Sequence, residues 1–361
     1  MARVLTITSG KGGVGKTSIS LNLSLQLAAA GYRVALFDAD LGLANINVLT
    51  GIHPDRTLSA VIDGEASMDE ILLKNYQGID IIPGSSGVEK LADLDEKEAR
   101  RLIQSFVGLD TYDFLIFDTS AGISTQVISF CLASSDILLV VTPEPTSLTD
   151  AYAMLKVLSR KRYSSTVNIV INRVKNKKEA ETAYFHLKET VNQFLAVEIS
   201  PLGMVVKDKH VGMAVISQTP FSMVFPDADA TKCLGQISRK ITASHGSKNN
   251  LPIEAFWEKY LGFLSGESSG KETEADREPE VSPGGKVVPT NPVSDAGETI
   301  SEKIAAMEAN IARLLTEVAA LRRAVTEEEN RQEQPKEIPP EPSPRVQILL
   351  DFKAWLKNRS G

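Results

Sequence analysis

Two lysines in one glycine-rich stretch are the residues of this chain best suited to chemistry. Residues 9–18 read SGKGGVGKTS, with Lys11 near the start and Lys16 near the end. Glycines let successive backbone N–H groups point inward, and such a nest holds phosphate. The spacing Gly10-x4-Gly15-Lys16-Thr17 fits the Walker A pattern, which requires a strand before it and a helix after it. Gly10, Lys11, Gly12, Gly13, Val14, Gly15, Lys16, Thr17 and Ser18 form the expected cradle for ATP. By position, Lys16 touches the β- and γ-phosphates and Thr17 ligates Mg2+. The competing reading, a glycine turn that binds nothing, does not explain Lys16 and Thr17 together. Lys11 is an extra cation whose plain alternative is a solvated surface charge.

Three further segments place polar groups where an apolar run stops. Residues 33–38 lead into Asp38-Ala39-Asp40, two acids on one side of a strand end. Beside a Mg-nucleotide, one can orient the attacking water and the other can hold the metal shell; Asp40 also suits a helix N-cap. Residues 114–118 are four apolar residues and then Asp118, the Walker B arrangement that reaches Mg2+. Thr119-Ser120-Ala121-Gly122 after it is a candidate switch loop. Residues 167–172 end in Asn172-Arg173, an amide and a guanidinium able to read and stack on adenine, with a simple turn as the alternative for Asn172.

The elements that must position these groups follow from the pattern. Residues 3–8 (RVLTIT) read as a buried strand, and Ile19, Leu21, Leu23, Leu25 and Leu27 as a buried helix ending at Gly31. Further strands are expected at 79–83, 137–142 and 202–206, with helices between them such as 96–107, 147–160 and 178–194. Near-continuous Val, Ile and Leu strands alternating with helices imply an α/β fold, a doubly wound, mostly parallel sheet with ligand chemistry at the strand carboxyl ends.

The chain has 361 residues, 42% of them apolar, and a net charge of −7, which does not favour a DNA-binding surface. Cys131 and Cys233 lie far apart in apolar surroundings, so neither a disulfide framework nor a metal pair is expected. No signal peptide precedes Arg3, and no apolar run approaches the roughly 20 residues that span a bilayer. A cytoplasmic protein, with at most peripheral membrane contact, is the expectation.

GKGGVGKT at 10–17, DADLGLAN at 38–45, FDTSAG at 117–122 and NR at 172–173 together resemble the deviant Walker A ATPases, the MinD/ParA group. PLGMVVKDKHVGMAV at 201–215 fits that group's final strand, loop and helix, and the likeness covers about residues 2–243. DTSAGIS at 118–124 and PEPTSLTDAYAMLKVL at 143–158 are similar to the FlhG (FleN) branch, which helps set flagellar number and placement. The resemblance implies a P-loop NTPase fold and ATP hydrolysis. It also implies an ATP-dependent homodimer in which Lys11 reaches the partner's nucleotide. On this reading Lys11, Lys16 and Asp40 are catalytic, Asp40 positioning the water, while Thr17, Asp38 and Asp118 serve the metal. Asn45 would lie near the dimer contact. An FlhF-like GTPase is the implied partner, although the segment that activates it in the branch precedes strand 1, and strand 1 here begins at Arg3. Val206 stands where the late motif has proline, which leaves the role of Asp208 open.

The expected organisation is an ATPase domain over 1–243, an amphipathic helix over 244–264, a flexible linker over 265–297, a short parallel coiled coil over 298–327, an acidic Pro-rich linker over 328–344 and a basic amphipathic tail over 345–361. Ile253, Phe256, Trp257, Tyr260, Leu261 and Leu264 form one stripe, suited to core docking or to a membrane surface. In the coil, Ile304, Ile311, Val318 and Val325 occupy a, and Ile300, Met307, Leu314 and Leu321 occupy d, which favours two parallel strands. A helix packing on another domain or protein is the alternative. The tail sets Ile348, Leu349, Phe352, Trp355 and Leu356 against Lys353, Lys357 and Arg359, a pattern for cycling on the inner face of the cytoplasmic membrane or for docking on a partner. The function expected is a MinD-like ATPase positioning a cellular structure, with division-site selection or ParA-type partitioning as alternatives. Cluster assembly lacks its paired cysteines, and a non-hydrolysing scaffold would not need Lys16, Asp40 and Asp118.

Overall fold

Runs of Val, Ile, Leu and Phe without polar interruption need cover on both faces, and here they receive it. The computed structural model describes residues 2–40, 45–84, 90–91, 94–243 and 252–265. In chain order the first half comprises β1 (Arg3–Ser9), α1 (Lys16–Ala29), β2 (Val34–Ala39), α2 (Asn45–Thr50), α3 (Leu58–Asp63), α4 (Met68–Ile71), β3 (Leu73–Tyr76), β4 (Ile79–Ile82), α5 (Glu96–Val107) and β5 (Phe114–Ala121). The second half comprises α6 (Thr125–Ala133), β6 (Asp136–Val141), α7 (Pro145–Arg160), β7 (Val167–Val174), α8 (Lys177–Phe194), β8 (Ile199–Val206), α9 (Lys209–Ile216), α10 (Phe221–Val224), α11 (Asp229–Ala243) and α12 (Ile253–Leu264).

The sheet has the strand order β3-β4-β2-β5-β1-β6-β7-β8. Every neighbouring pair is parallel except β3 with β4. Parallel strands bring the ends of β1, β2, β5 and β7 to one edge, and all the expected chemistry sits there. The pleat sorts the two faces. On β5, Phe114 and Ile116 enter the core under α1, while Leu115 and Phe117 enter the core on the opposite side. On β2, Leu36 and Phe37 divide in the same way.

The stripe on α12 turns inward: Ile253, Phe256, Trp257 and Tyr260 are buried in the second core. Trp257 lies 4.6 Å from Phe106, Phe256 lies 4.6 Å from Phe117, and Tyr260 lies 4.3 Å from Phe130, centroid to centroid. The membrane-surface alternative for 251–264 therefore does not describe this structure, because the aromatics already have an apolar home. Among the described residues no helix is long and apolar enough to cross a membrane. The heptad run, the basic tail and most of both linkers fall within 266–361, outside the described residues.

Candidate active site

The loop between β1 and α1 is shaped by glycines in the left-handed region, Gly13 at φ 74° and Gly15 at φ 91°. Gly15 is the N-cap of α1, so the helix opens at Lys16 with its first N–H groups facing the loop. Gly10 serves packing: a side chain there would collide with the backbone of Asp150 on α7. Gly12, Gly13, Gly15, Lys16, Thr17 and Ser18 line a cleft of about 280 Å3. Asp40, Arg173, Ser9, Leu49 and Ala121 complete its wall.

Asp38 and Asp118 lie one layer below. Both are buried, and the β2–β5 register pairs them directly, Asp38 with Asp118. The Asp118 carboxylate holds Lys16: its Oδ1 is 3.3 Å from Lys16 Nζ and accepts from Ser20 Oγ at 2.9 Å. Ser20 sits one turn along α1 from Lys16, on the same face. Burial, and then the neighbouring Asp118 charge, push the Asp38 carboxyl up to about 7, although it accepts from the N–H groups of Asp40 and Ile46 at 3.4 and 3.5 Å.

Oxygen donors here fit Mg2+. The buried Asp118 Oδ2 has no hydrogen-bond partner among the described residues, an acceptor left open toward a cation. Thr17 lines the cleft above it. Among the described residues no group of three or more His, Cys, Asp and Glu is placed to hold a metal alone. A shared site completed by phosphate oxygens and water is how Mg2+ is usually bound.

Lys11 turns away from Lys16. Its Nζ is 3.0 Å from Glu144 Oε2 and 2.7 Å from Thr146 Oγ1, where α7 begins. The lysine side chain is 36% exposed, against 7% for Lys16. The expected switch loop is tied to β1: Gly122 N donates to Ser9 O at 2.9 Å, and Thr119 Oγ1 donates to Ile7 O at 3.2 Å.

Asn172 is engaged with the loop itself. It is buried, and its Nδ2 donates to the Val14 carbonyl at 2.7 Å, which tethers the loop to the end of β7. Arg173, in contrast, reaches the cleft wall. Asn45 opens α2, but its side chain falls outside the described residues, as do residues 41–44. Asp208 caps α9: it accepts from His210 N at 3.0 Å and Ala230 N at 3.3 Å. Burial opposes its charge, but these N–H bonds hold its carboxyl below the ordinary range. Reading the sequence missed Ser20, Glu144 and Thr146. Helical spacing from Lys16 could have found Ser20; the other two lie across the fold and carry no local signal.

A family model described as an AAA domain matches residues 2–171. The antiactivator FleN of Pseudomonas aeruginosa is 39% identical over 240 residues, 66% of this chain and 86% of that protein. The flagellum site-determining protein YlxH of Helicobacter pylori is 37% identical over 271 residues, 73% of this chain and 90% of that protein. The septum site-determining protein MinD from Pyrococcus horikoshii, solved as a complex with Mg-ADP, is 25% identical with a TM-score of 0.56, covering 70% of this chain and 100% of that one.

Proposed function

Because the chain belongs to the MinD/ParA-type ATPases, in the FlhG (FleN) branch, we propose that its ATP turnover regulates the number and placement of flagella. The chain hydrolyses ATP to ADP and phosphate with Mg2+ as cofactor. Thr17, Asp38 and Asp118 are the residues that would hold Mg2+, which would supply positive charge to offset that of the phosphates. Lys16 lines the cleft while paired with Asp118 beneath it, so its ammonium sits beside the phosphate cradle. Asp40 lines the cleft, and on this reading it orients the attacking water. Arg173 adds a second cation on that wall.

The observation that carries a dimer cycle is the divergence of the two lysines. Lys16 is buried against Asp118, whereas Lys11 is held outward by Glu144 and Thr146. A loop that feeds one ammonium to its own nucleotide and displays another is suited to complete the site of a second protomer. Such an added charge can raise the rate of phosphoryl transfer about 10³–10⁵-fold. ATP then holds two ATPase domains face to face, and hydrolysis releases them from one another. A two-stranded coil over 298–327 would keep two ATPase domains close, at an effective concentration of order millimolar. The basic tail at 345–361 would tie the dimer to a membrane surface, and an FlhF-like GTPase is the partner this reading favours. The ATPase domain is taken as 1–243, extended by the helix that packs on it.

The test compares Lys11→Ala with the parent protein by light scattering and phosphate release. The variant should bind ATP normally, lose the ATP-dependent change in scattering by which the parent's ATPase domains pair, and lose turnover about 100-fold or more. An ATP-dependent dimer with parental turnover would remove Lys11 from this role.

A further inference from the structure

Arg173 is the extra residue of a β-bulge. Asn172 pairs with Val205 on β8 and Val174 pairs with Val206, so Arg173 is skipped by the ladder. Its φ is 59°, in the left-handed region that a non-glycine residue avoids unless its surroundings hold it there. Bulges next to active sites re-aim a side chain, and Arg173 lines the phosphate cleft. The clamp on this conformation is Asn172, whose Oδ1 accepts from the Arg173 N–H at 2.8 Å. The other half of the same amide donates to the Val14 carbonyl at 2.7 Å, across 158 residues of sequence. The contact is tight: a side chain on Gly15 would begin 2.5 Å from Asn172 Nδ2. Both ends of a buried amide are thus used, one on the phosphate loop and one on the bulge.

We propose that Asn172 is a positioning residue of the ATP site: it fixes the Val14–Gly15 segment of the loop and, through the same amide, the bulge that turns Arg173 into the cleft. This rests on the ATPase reading above. One bond is made at each end of the amide, so losing this side chain removes the tether to the loop and the clamp on the bulge together. The last glycine of the motif acquires a second reason: its missing side chain leaves room for the Asn172 amide as well as allowing the left-handed turn. The loop is thereby coupled to β7, four strands along the sheet order from β2, at whose end Asp38 and Asp40 sit on the far side of β1.

The experiment uses the full chain with Asn172→Ala and, as a second variant of similar size, Asn172→Asp, which removes the donor and keeps an acceptor for Arg173. Hydrogen–deuterium exchange is followed without nucleotide in the peptide covering 10–18 and, as a control for general loosening, in the peptide covering 229–243. ATP affinity is measured in parallel. Exchange in the loop peptide should rise in both variants with the control unchanged, and ATP binding should weaken roughly tenfold or more, the loss expected for a buried carbonyl stripped of its donor. Weakened ATP binding with unchanged loop exchange would overturn the proposal, because the loss would then not pass through the loop. Faster loop exchange with parental ATP affinity would also overturn it, as a brace without consequence for the site. Failure of the parent protein to bind ATP would instead strike the ATPase reading, and the exchange data would still decide whether the brace exists.

Discussion

Phe117 and Asp118 are adjacent on β5, yet they enter two regions held by different physics. Phe117 joins a wall of rings with Phe106, Phe130, Phe256, Trp257 and Tyr260, all buried. Ring contacts and apolar burial hold that wall, and neither requires a unique partner. Its polar tips show the tolerance: Glu254 Oε2, Trp257 Nε1 and Tyr260 OH are buried with no hydrogen-bond partner among the described residues. Asp118 enters a region where Lys16 and Ser20 each have a defined place on one carboxylate oxygen. The wall supplies stability with modest demands on direction. The site imposes direction and costs stability, most clearly at Asp38, a buried acid beside another acid.

Substitutions can break or sharpen that contrast. The largest effect is expected in the wall. Phe256→Ala should destabilise the chain by about 3–5 kcal/mol, read by chemical denaturation, because a fully buried ring leaves a cavity. ATP affinity of the protein that remains folded should not change; a lost affinity would mean that the wall also shapes the site.

Asp38→Asn should act in the opposite direction. An acid whose folded value is raised binds its proton more tightly in the folded state, so stability falls as pH rises from the ordinary carboxyl range through about 7. Asparagine removes that dependence. In nucleotide-free protein with chelator, the advantage of the variant should grow by about 2–3 kcal/mol between pH 5 and pH 8. Parallel pH profiles for the two proteins would show that Asp38 does not carry this cost. The smallest effect belongs to Trp257→Phe, which keeps a ring, deletes an unpartnered N–H and leaves a small void; the change should stay within about 2 kcal/mol. A much larger loss would reveal a hydrogen bond at Nε1 and make the wall more like the site.

Much of this arrangement is legible in the residues. Periodicity places β1, α1 and α5, and composition alone marks the ends of β2 and β5 as acidic. What periodicity lacks is the identity of the facing element. The α12 stripe reads equally well as docked or membrane-bound until Phe106, Phe117 and Phe130 are seen opposite it. Edge strand β3 has only Leu73 and Tyr76 as apolar residues around Lys74 and Asn75, too short for a pattern to emerge. Its pairing with β4, not its own sequence, makes it a strand. The same limit hid the work of Asn172: a strand-end amide suggests a ligand contact, and only the assembled sheet brings Val14 against it.

The alternation on β2 and β5 also governs how such a chain can change length. On both strands the even-numbered residues near the end face α1, and the odd-numbered ones face the opposite core. Asp38 and Asp118 therefore share a parity as well as a register. Inserting one residue within either strand would invert that parity, sending a carboxylate into the ring wall and a ring into the phosphate site. Insertions and deletions are therefore confined to the connections, while the interiors of these two strands keep a fixed count.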